Sequence, residues 1–110
     1  MVLQIILNSV NAERVLVYLR AREEGYAKEI ASFYNTALSP IQKQLEKFES
    51  GGVLISREVG RTRVYELNKR YALFAELAAL LDRAMDFYPP DLKEDLLIFR
   101  TRPRRKGKPL

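Results

Sequence analysis

The sequence contains neither cysteine nor histidine among its 110 residues. These absences exclude disulfides, metal sites with thiolate or imidazole ligands, and catalysis by Ser-His-Asp or Cys-His groups. No apolar run approaches the roughly 20 residues that span a bilayer, and the apolar start at residues 1–7 lacks the basic segment of a signal peptide. We therefore expect a cytoplasmic protein with no metal, no cofactor and no membrane segment.

Carboxylates and lysines remain as the only candidate catalytic groups. The acidic residues at 23–24 and 91–95 are not set among apolar residues that would raise a carboxyl pKa for acid–base work. Gly51, Gly52 and Gly60 fit a helix stop and a turn better than a phosphate-binding loop. The sequence thus predicts a protein that is not an enzyme.

Positive charge is unevenly distributed. Six of the 19 basic residues fall within residues 100–110, where there is no acidic residue, so residues 1–99 hold 13 basic and 14 acidic groups. Residues 39–70 have seven basic and four acidic groups, whereas residues 71–99 have two and six. A basic surface on residues 39–70 favours a polyanionic partner. The basic segment at residues 100–110, which we call the tail, is equally consistent with a phosphate-binding arm and with a solubilising, disordered end.

Residues 36–50 have the pattern of an amphipathic helix. Ile41, Leu45 and Phe48 recur at spacings of four and three, which gives a narrow apolar stripe. The other positions carry hydroxyl, amide and ammonium groups, which can reach base edges and phosphates in a major groove. By themselves, the lysines would indicate only a solvated face. In this context the pattern predicts a recognition helix with the outward residues Ser39, Gln42, Lys43, Glu46 and Lys47.

A proline and two glycines set the predicted ends of this helix. Ser39 fits an N-cap with Pro40 at the first helical position and Gln42 completing a capping box. Thr36 is an alternative cap one turn earlier. The helix is expected to end at residues 51–52, because glycine adopts the left-handed conformation that follows many helices.

A β-hairpin is predicted directly after the glycines. Residues 53–59 and 63–67 are rich in β-branched side chains and flank a turn at residues 60–62. Like charges gathered on a hairpin tip suit a polyanion, and a narrow minor groove attracts arginine in particular. Alternatively, the arginines form ion pairs with Glu58 and Glu66 across the hairpin, an option least open to the one at the tip. The arginines concerned are Arg57, Arg61 and Arg63.

Two shorter helices are expected upstream. Residues 2–7 could be a short strand or a helical turn. Ser9 or Asn11 can cap a helix that continues to about Arg22, with Val10, Val15, Leu16 and Leu19 on its buried side. Residues 26–34 form a second helix and residues 35–36 turn into the recognition helix, which is a helix-turn-helix arrangement.

Downstream, residues 71–88 form the longest periodic segment, and a second apolar row lies beside the first, at Leu73, Leu80 and Phe87. The apolar face is wider than one small domain needs, which favours packing against a second copy. Core within the same domain is the alternative for part of the first row. Pro89–Pro90 ends the helix, and residues 91–99 form another short one. The first row, predicted to mediate dimerisation, is Phe74, Leu77, Leu81, Ala84 and Tyr88.

A family resemblance is carried by residues 25–68, GYAKEIASFYNTALSPIQKQLEKFESGGVLISREVGRTRVYELN. Its most specific parts are the AKEIA helix, the SPIQKQLEKFE helix, the Gly-Gly stop and the VGRTRVYELN hairpin. Over about residues 9–88 the chain resembles bacterial winged helix-turn-helix regulators related to the arsenic-repressor superfamily. The thiolate and imidazole ligands of metal-sensing members are absent, so the resemblance is to a non-metal-sensing type.

Together with the residue patterns, the resemblance predicts an α+β winged helix-turn-helix domain over residues 1–99, followed by a flexible basic tail at 100–110. The domain would have a three-helix core and a two-stranded wing, and the width of the apolar face adds a long C-terminal dimerisation helix at about residues 71–88. It would bind double-stranded DNA as a homodimer and regulate transcription. The predicted DNA-binding residues are Ser39, Pro40, Gln42, Lys43, Lys47, Arg57, Arg61 and Arg63.

The alternative function is a winged-helix protein-interaction module. Similar compact proteins are often encoded beside, or fused to, nucleotidyltransferase-like domains, which suggests such a partner. Affinity for nucleic acid would then be non-specific and reside in the basic tail. Single-stranded RNA binding is not supported, because no exposed aromatic pair alternates with the basic residues.

Overall fold

The computed structural model describes the backbone of residues 1–101 and the side chains of residues 1–98. Within this part, six helices and one two-stranded antiparallel sheet confirm the predicted α+β class. From residue 102 onward, the predicted basic tail lies outside the described residues. The elements in chain order are α1 (Gln4–Leu7), α2 (Val10–Arg22), α3 (Ala27–Tyr34), α4 (Leu38–Ser50), β1 (Leu54–Val59), β2 (Thr62–Leu67), α5 (Phe74–Met85) and α6 (Pro90–Thr101).

The apolar start of the chain is a helical turn and not a strand. α1 ends at Asn8, whose left-handed backbone has a φ of 58°. Of the two predicted caps for the next helix, Ser9 is the one used, because the Ala12 N–H donates a hydrogen bond to Ser9 Oγ at 3.0 Å. Satisfying one of the free N–H groups of the first turn fixes where α2 begins.

α2 forms the centre of the core. Each residue of the segment 15–19 is at most 2% exposed. Because α3, α4, α5, α6 and β2 all contact this helix, it is buried on most of its circumference. Bidentate hydrogen bonds from Arg20 to Asp82, both 2.8 Å long, attach α5 to it. Arg22 donates to the carbonyls of Asp95 and Leu96 at 2.9 and 3.2 Å and attaches α6.

The helix-turn-helix consists of α3, a left-handed turn at Asn35 with a φ of 53°, and α4. The predicted N-cap of α4 was wrong, since Ala37 occupies that position and neither Ser39 nor Thr36 caps the helix. The Thr36 N–H instead donates to the Ala31 carbonyl at 2.9 Å and closes the turn. Pro40 is tolerated at the third helical position because N–H groups of the first turn have no partner within a helix.

The predicted end of the helix at residues 51–52 is confirmed, and Gly52 is the glycine with the left-handed conformation. Gly52 has a φ of +80°, whereas Gly51 has an ordinary φ of −86°. The Gly52 N–H donates to the Glu49 carbonyl at 3.0 Å, and the Val53 N–H donates to the Phe48 carbonyl at 2.9 Å. These two bonds form a Schellman motif, which satisfies the last carbonyls of α4 and turns the chain into the hairpin.

The hairpin, which we call the wing, pairs β1 with β2 from Leu54↔Leu67 to Val59↔Thr62. Only Gly60 and Arg61 remain as the turn, and Gly60 has a φ of +64°. A positive φ at the first turn position matches the twist of a two-residue hairpin. The predicted hairpin is therefore confirmed, with strand limits shifted by one residue.

Gly25 joins the wing to the helix-turn-helix. Its N–H donates to the Tyr65 carbonyl at 3.0 Å, and it accepts from the Tyr65 N–H at 2.8 Å. A Cβ at this position would lie 2.8 Å from the Tyr18 ring, so only glycine lets the chain pass this close to α2. The start of α3 and the wing are thereby held side by side.

Both predicted C-terminal helices are present, with different bounds. The helix predicted over residues 71–88 is the shorter α5, and the one predicted over residues 91–99 is α6; both pack against α2. Leu81, Ala84 and Tyr88, predicted to mediate dimerisation, are at most 7% exposed in the single chain and belong to its own core. Phe74 and Leu77 are half-buried. The second row is the exposed one, with exposed fractions of 56%, 43% and 61% at Leu73, Leu80 and Phe87.

Candidate nucleic-acid interface

A groove of about 400 Å³ lies between the start of α3, the length of α4 and the tip of the wing. We call it the wing groove. Its walls include three cationic groups and a single carboxylate, so its surface carries net positive charge. Its lining residues are Tyr26, Ala27, Lys28, Leu38, Gln42, Glu46, Arg61, Thr62, Arg63 and Tyr65.

α4 presents two exposed rows of side chains. Leu38, Gln42 and Glu46, spaced four apart, line the wing groove. Ser39, Lys43 and Lys47 are equally exposed and form the adjacent row, outside the groove. Of the α4 residues predicted to bind DNA, Gln42 is therefore the one that the structure brings into the groove with the wing. Pro40 is half-buried at the start of the helix.

The wing arginines differ in their surroundings. Arg57 donates to Glu24 at 2.9 Å and to Glu66 at 3.3 Å, and the hydrogen bond to Glu24, with its charge, raises the pKa of the Arg57 guanidinium. Arg63 pairs with Glu58 at 3.0 Å. The ion-pair reading is confirmed for these two, with Glu24 as a partner from outside the hairpin.

Arg61 stands apart from the other two. It is exposed at the tip, and no hydrogen bond or ion pair joins it to any residue of the described chain. Holding an unpaired guanidinium on a two-residue turn gives no evident benefit to folding. The tip arginine is the wing cation that is immediately available to an anion.

A polar bridge joins the wing to the end of α4. Ser56 Oγ donates to Glu49 Oε2 at 2.5 Å and accepts from Arg63 Nη1 at 2.8 Å. Because Arg63 also pairs with Glu58, the bridge runs from α4 across both strands of the hairpin. It connects the end of α4 to the wing by side-chain hydrogen bonds.

Seven of the ten groove residues were not among the predicted DNA-binding residues. The α3 residue Lys28 and the α3 N-cap Tyr26 reach the groove because Gly25 pairs with the wing. Glu46 was predicted to point outward with Gln42, but Leu38, four residues before Gln42, was not included. The spacing of four would have added Leu38 to that row if the predicted helix had begun two residues earlier, at Leu38 instead of Pro40.

A second surface is apolar. Ile5 and Ile6 on α1 are 86% and 71% exposed, and Leu73 and Leu80 of the α5 region are also exposed. A groove of about 310 Å³ lies between the two elements, with Leu7 on one side and Leu73, Leu77 and Leu80 on the other. We call the surface formed by Ile5, Ile6, Leu73 and Leu80 the apolar face.

A buried polar cluster supports this second surface. Glu13 is fully buried in α2 and accepts hydrogen bonds from the Leu3 N–H at 2.8 Å and from Tyr88 Oη at 2.6 Å. Burial, followed by the hydrogen bond with Glu13, raises the pKa of the Tyr88 phenol. The cluster links α1 to the loop between α5 and α6.

In the part of the chain that the structure describes, no helix is long and apolar enough to cross a membrane. The same residues contain no group of three or more carboxylates that could hold a metal ion.

Helices α3 and α4 with the following hairpin define the winged-helix fold, as predicted. No family model matches the sequence, and no curated protein matches it. Among solved structures, an apo form of a substituted ZitR from Lactococcus lactis is similar, with a TM-score of 0.54 and 14% identity over 91% of this chain and 84% of that one. The adhesin competence repressor AdcR from Streptococcus pyogenes has a TM-score of 0.55 and 16% identity, over 91% and 87%. At such identities the likeness shows the fold alone.

Proposed function

We propose that this chain is a transcriptional regulator that binds double-stranded DNA as a homodimer. The observation that carries the proposal is the wing groove, which sets the exposed Gln42 of α4 beside the unpaired Arg61 of the wing. The fold is shared with a protein named as a repressor, AdcR, which supports the same class of function.

The arrangement fits a duplex with α4 in the major groove and the wing along the neighbouring backbone or minor groove. A major groove about 12 Å wide admits one helix. Gln42, Ser39 and Lys43 would contact base edges, Gln42 pairing with adenine and Lys43 with guanine. Lys47 and Arg61 would contact phosphates, and so strengthen binding to any sequence.

Arg57 and Arg63 enter this interface only by exchanging partners. All three of their ion pairs are on the surface, where such pairs contribute about 0–1 kcal/mol. Arg63 would exchange the carboxylate of Glu58 and its hydrogen bond with Ser56 for a phosphate. Arg57 is held by two carboxylates, from Glu24 and Glu66, and would have to give up both. We infer that Arg63 contributes to binding and Arg57 mainly to the shape of the wing.

The homodimer would form through the apolar face. Exposed apolar side chains are typical of protein–protein contact sites, and isoleucines more than two-thirds exposed contribute little to the monomer's core. Two copies related by a twofold axis would present two α4 helices to half-sites about one helical turn apart. The dimer contact is thus proposed on Leu73 and Leu80 in place of the buried Leu81 and Ala84.

The finer family assignment is also a proposal. We infer a regulator related to the arsenic-repressor superfamily that senses no metal through thiolate or imidazole ligands, since the sequence contains neither.

The test is a selection from random duplex DNA with the full chain at near-physiological salt. Enrichment of an inverted repeat with half-sites about one turn apart is expected. Gln42→Ala should relax the preference at one base pair per half-site, by about 1–3 kcal/mol of discrimination. A matched control replaces the basic residues of positions 102–108 with serine, which removes charge but not length. If that change alone abolishes binding, the protein-interaction module becomes the better description.

A further inference from the structure

Two apolar side chains in the wing groove are not explained by phosphate binding. Leu38 and Tyr26 are 40% and 38% exposed, yet they line the same groove as Lys28, Arg61 and Arg63. An exposed leucine gains no free energy from the charges of three neighbouring cations. Its position instead suits contact with an apolar group of the ligand that binds in the groove.

The position of Leu38 narrows the choice of ligand group. It is the first residue of α4, and the first residues of a recognition helix are those that meet base edges. Base edges in the major groove present hydrogen-bond donors, acceptors and one apolar group, the 5-methyl of thymine. Of these groups, the methyl group is the one that an aliphatic side chain contacts favourably.

We propose that Leu38 reads the 5-methyl group of a thymine in each half-site. This proposal rests on the proposed function and assigns part of its specificity. α4 rises about 6 Å between Leu38 and Gln42, roughly the height of two base pairs. The thymine therefore lies within about two base pairs of the base read by Gln42. Tyr26 adds apolar surface to the same part of the groove.

The test uses the full chain and the duplex enriched in the selection described above. Each thymine is replaced singly by uracil, which removes the methyl group and leaves every hydrogen-bonding group in place. Burial of one methyl group predicts that each half-site contains one thymine whose single replacement weakens wild-type binding about three- to fivefold. In Leu38→Ala the same replacement should change nothing, because the contact is already lost.

Leu38→Met is the matched control, since it keeps an apolar side chain of similar size at the same position. It should retain most of the uracil penalty. It also keeps the test valid if the alanine variant is poorly folded.

The outcomes are distinguishable. If an operator is enriched and wild type tolerates uracil at every position, the thymine reading is overturned while the proposed function stands. A penalty that persists unchanged in Leu38→Ala would assign the methyl contact to another residue and overturn the proposal. If no duplex is enriched at all, the proposed function fails together with it.

Discussion

The wing groove and the apolar face differ in how many of their side chains already have favourable partners within the chain. On the wing, two of three arginines already have carboxylate partners. On the apolar face, Ile5 and Ile6 are mostly exposed, and exposure of an isoleucine to water is unfavourable. A paired charge gains little from a new partner, whereas an exposed apolar side chain gains the whole of its burial. The apolar face should therefore contribute more free energy per residue on assembly, and the wing groove should contribute selectivity.

Breaking the apolar face should have the largest effect. The double change Ile5→Asp and Ile6→Asp is expected to give a monomer at micromolar concentration, because two charges would be buried unpaired in the dimer. Loss of linked half-site binding should lower DNA affinity by about 10²-fold or more. Sedimentation and a DNA titration measure the two effects. Gln4→Glu, which adds charge to the same helix without removing apolar surface, is the control. A double variant that still dimerises would exclude α1 from the interface.

The cluster beneath the apolar face should contribute to stability alone. Tyr88→Phe removes one of two hydrogen bonds to the buried Glu13 carboxylate. The free energy of unfolding, measured with urea, should fall by about 1–3 kcal/mol, while DNA affinity of the folded protein stays unchanged. Tyr71→Phe is the control, since that hydroxyl makes no hydrogen bond with the described residues, and should change stability by less than about 0.5 kcal/mol.

The same cluster predicts how stability depends on alkaline pH. Burial raises the pKa of Tyr88, and likewise of Tyr18 and Tyr34, above the usual value, which is about 10. A group with a raised folded pKa stabilises fully below its unfolded pKa and loses that contribution as the pH rises through the folded value. Stability should thus fall above about pH 10, and less steeply in Tyr88→Phe. Equal slopes in both proteins would contradict the assignment.

Removing the unpaired arginine should weaken DNA binding without altering its sequence preference. Arg61→Ala is expected to reduce affinity for all duplexes and to lower the slope of log affinity against log salt by about one unit. Arg83→Ala lowers the net charge equally but lies on α5, away from the wing groove, and its slope should equal that of wild type. If the two variants behave alike, binding depends on overall charge and not on the wing.

The smallest expected effect has the opposite sign. Glu58→Gln removes a carboxylate from the wing and frees Arg63 from its ion pair. Because the pair is exposed and weak, affinity should rise only about two- to threefold, with a slightly steeper salt dependence. Measuring the DNA affinity of Glu58→Gln and of the wild type at several salt concentrations tests this prediction. A fall in affinity would mean that Glu58 acts mainly by orienting Arg63.

Much of this protein was predictable because local rules govern it. The periodicity of Ile41, Leu45 and Phe48 predicted the buried stripe of α4, and the two glycines predicted its end. The N-cap at Ser39 was wrong because the turn after α3 already directs the chain into a helix at Leu38. Proline and hydroxyl signals constrain the first turn of a helix without deciding its first residue.

The C-terminal helices were predicted, but which of their residues the rest of the chain covers was not, for a different reason. Periodicity showed that Leu81 and Ala84 share a helix face, but not what covers that face. In the structure, α2 covers that face, and α6 also packs against α2. The candidate dimer surface is therefore the neighbouring exposed row, which includes Leu73 and Leu80. Coverage depends on residues distant in the chain, such as Leu96, which is fully buried.

The sequence by itself determined the winged-helix class, the amphipathic helix α4 and the arginine tip of the wing. Each depends on spacing, glycine conformation or charge within a few residues of itself. Only the tertiary structure decided that Glu24 is a partner of Arg57, that Lys28 and Tyr26 join α4 and the wing in one groove, and that Glu13 is buried with Tyr88. Those facts depend on contacts between residues 33 to 75 positions apart, such as Arg57 with Glu24 and Tyr88 with Glu13. No local pattern encodes them, because they arise only when the elements pack.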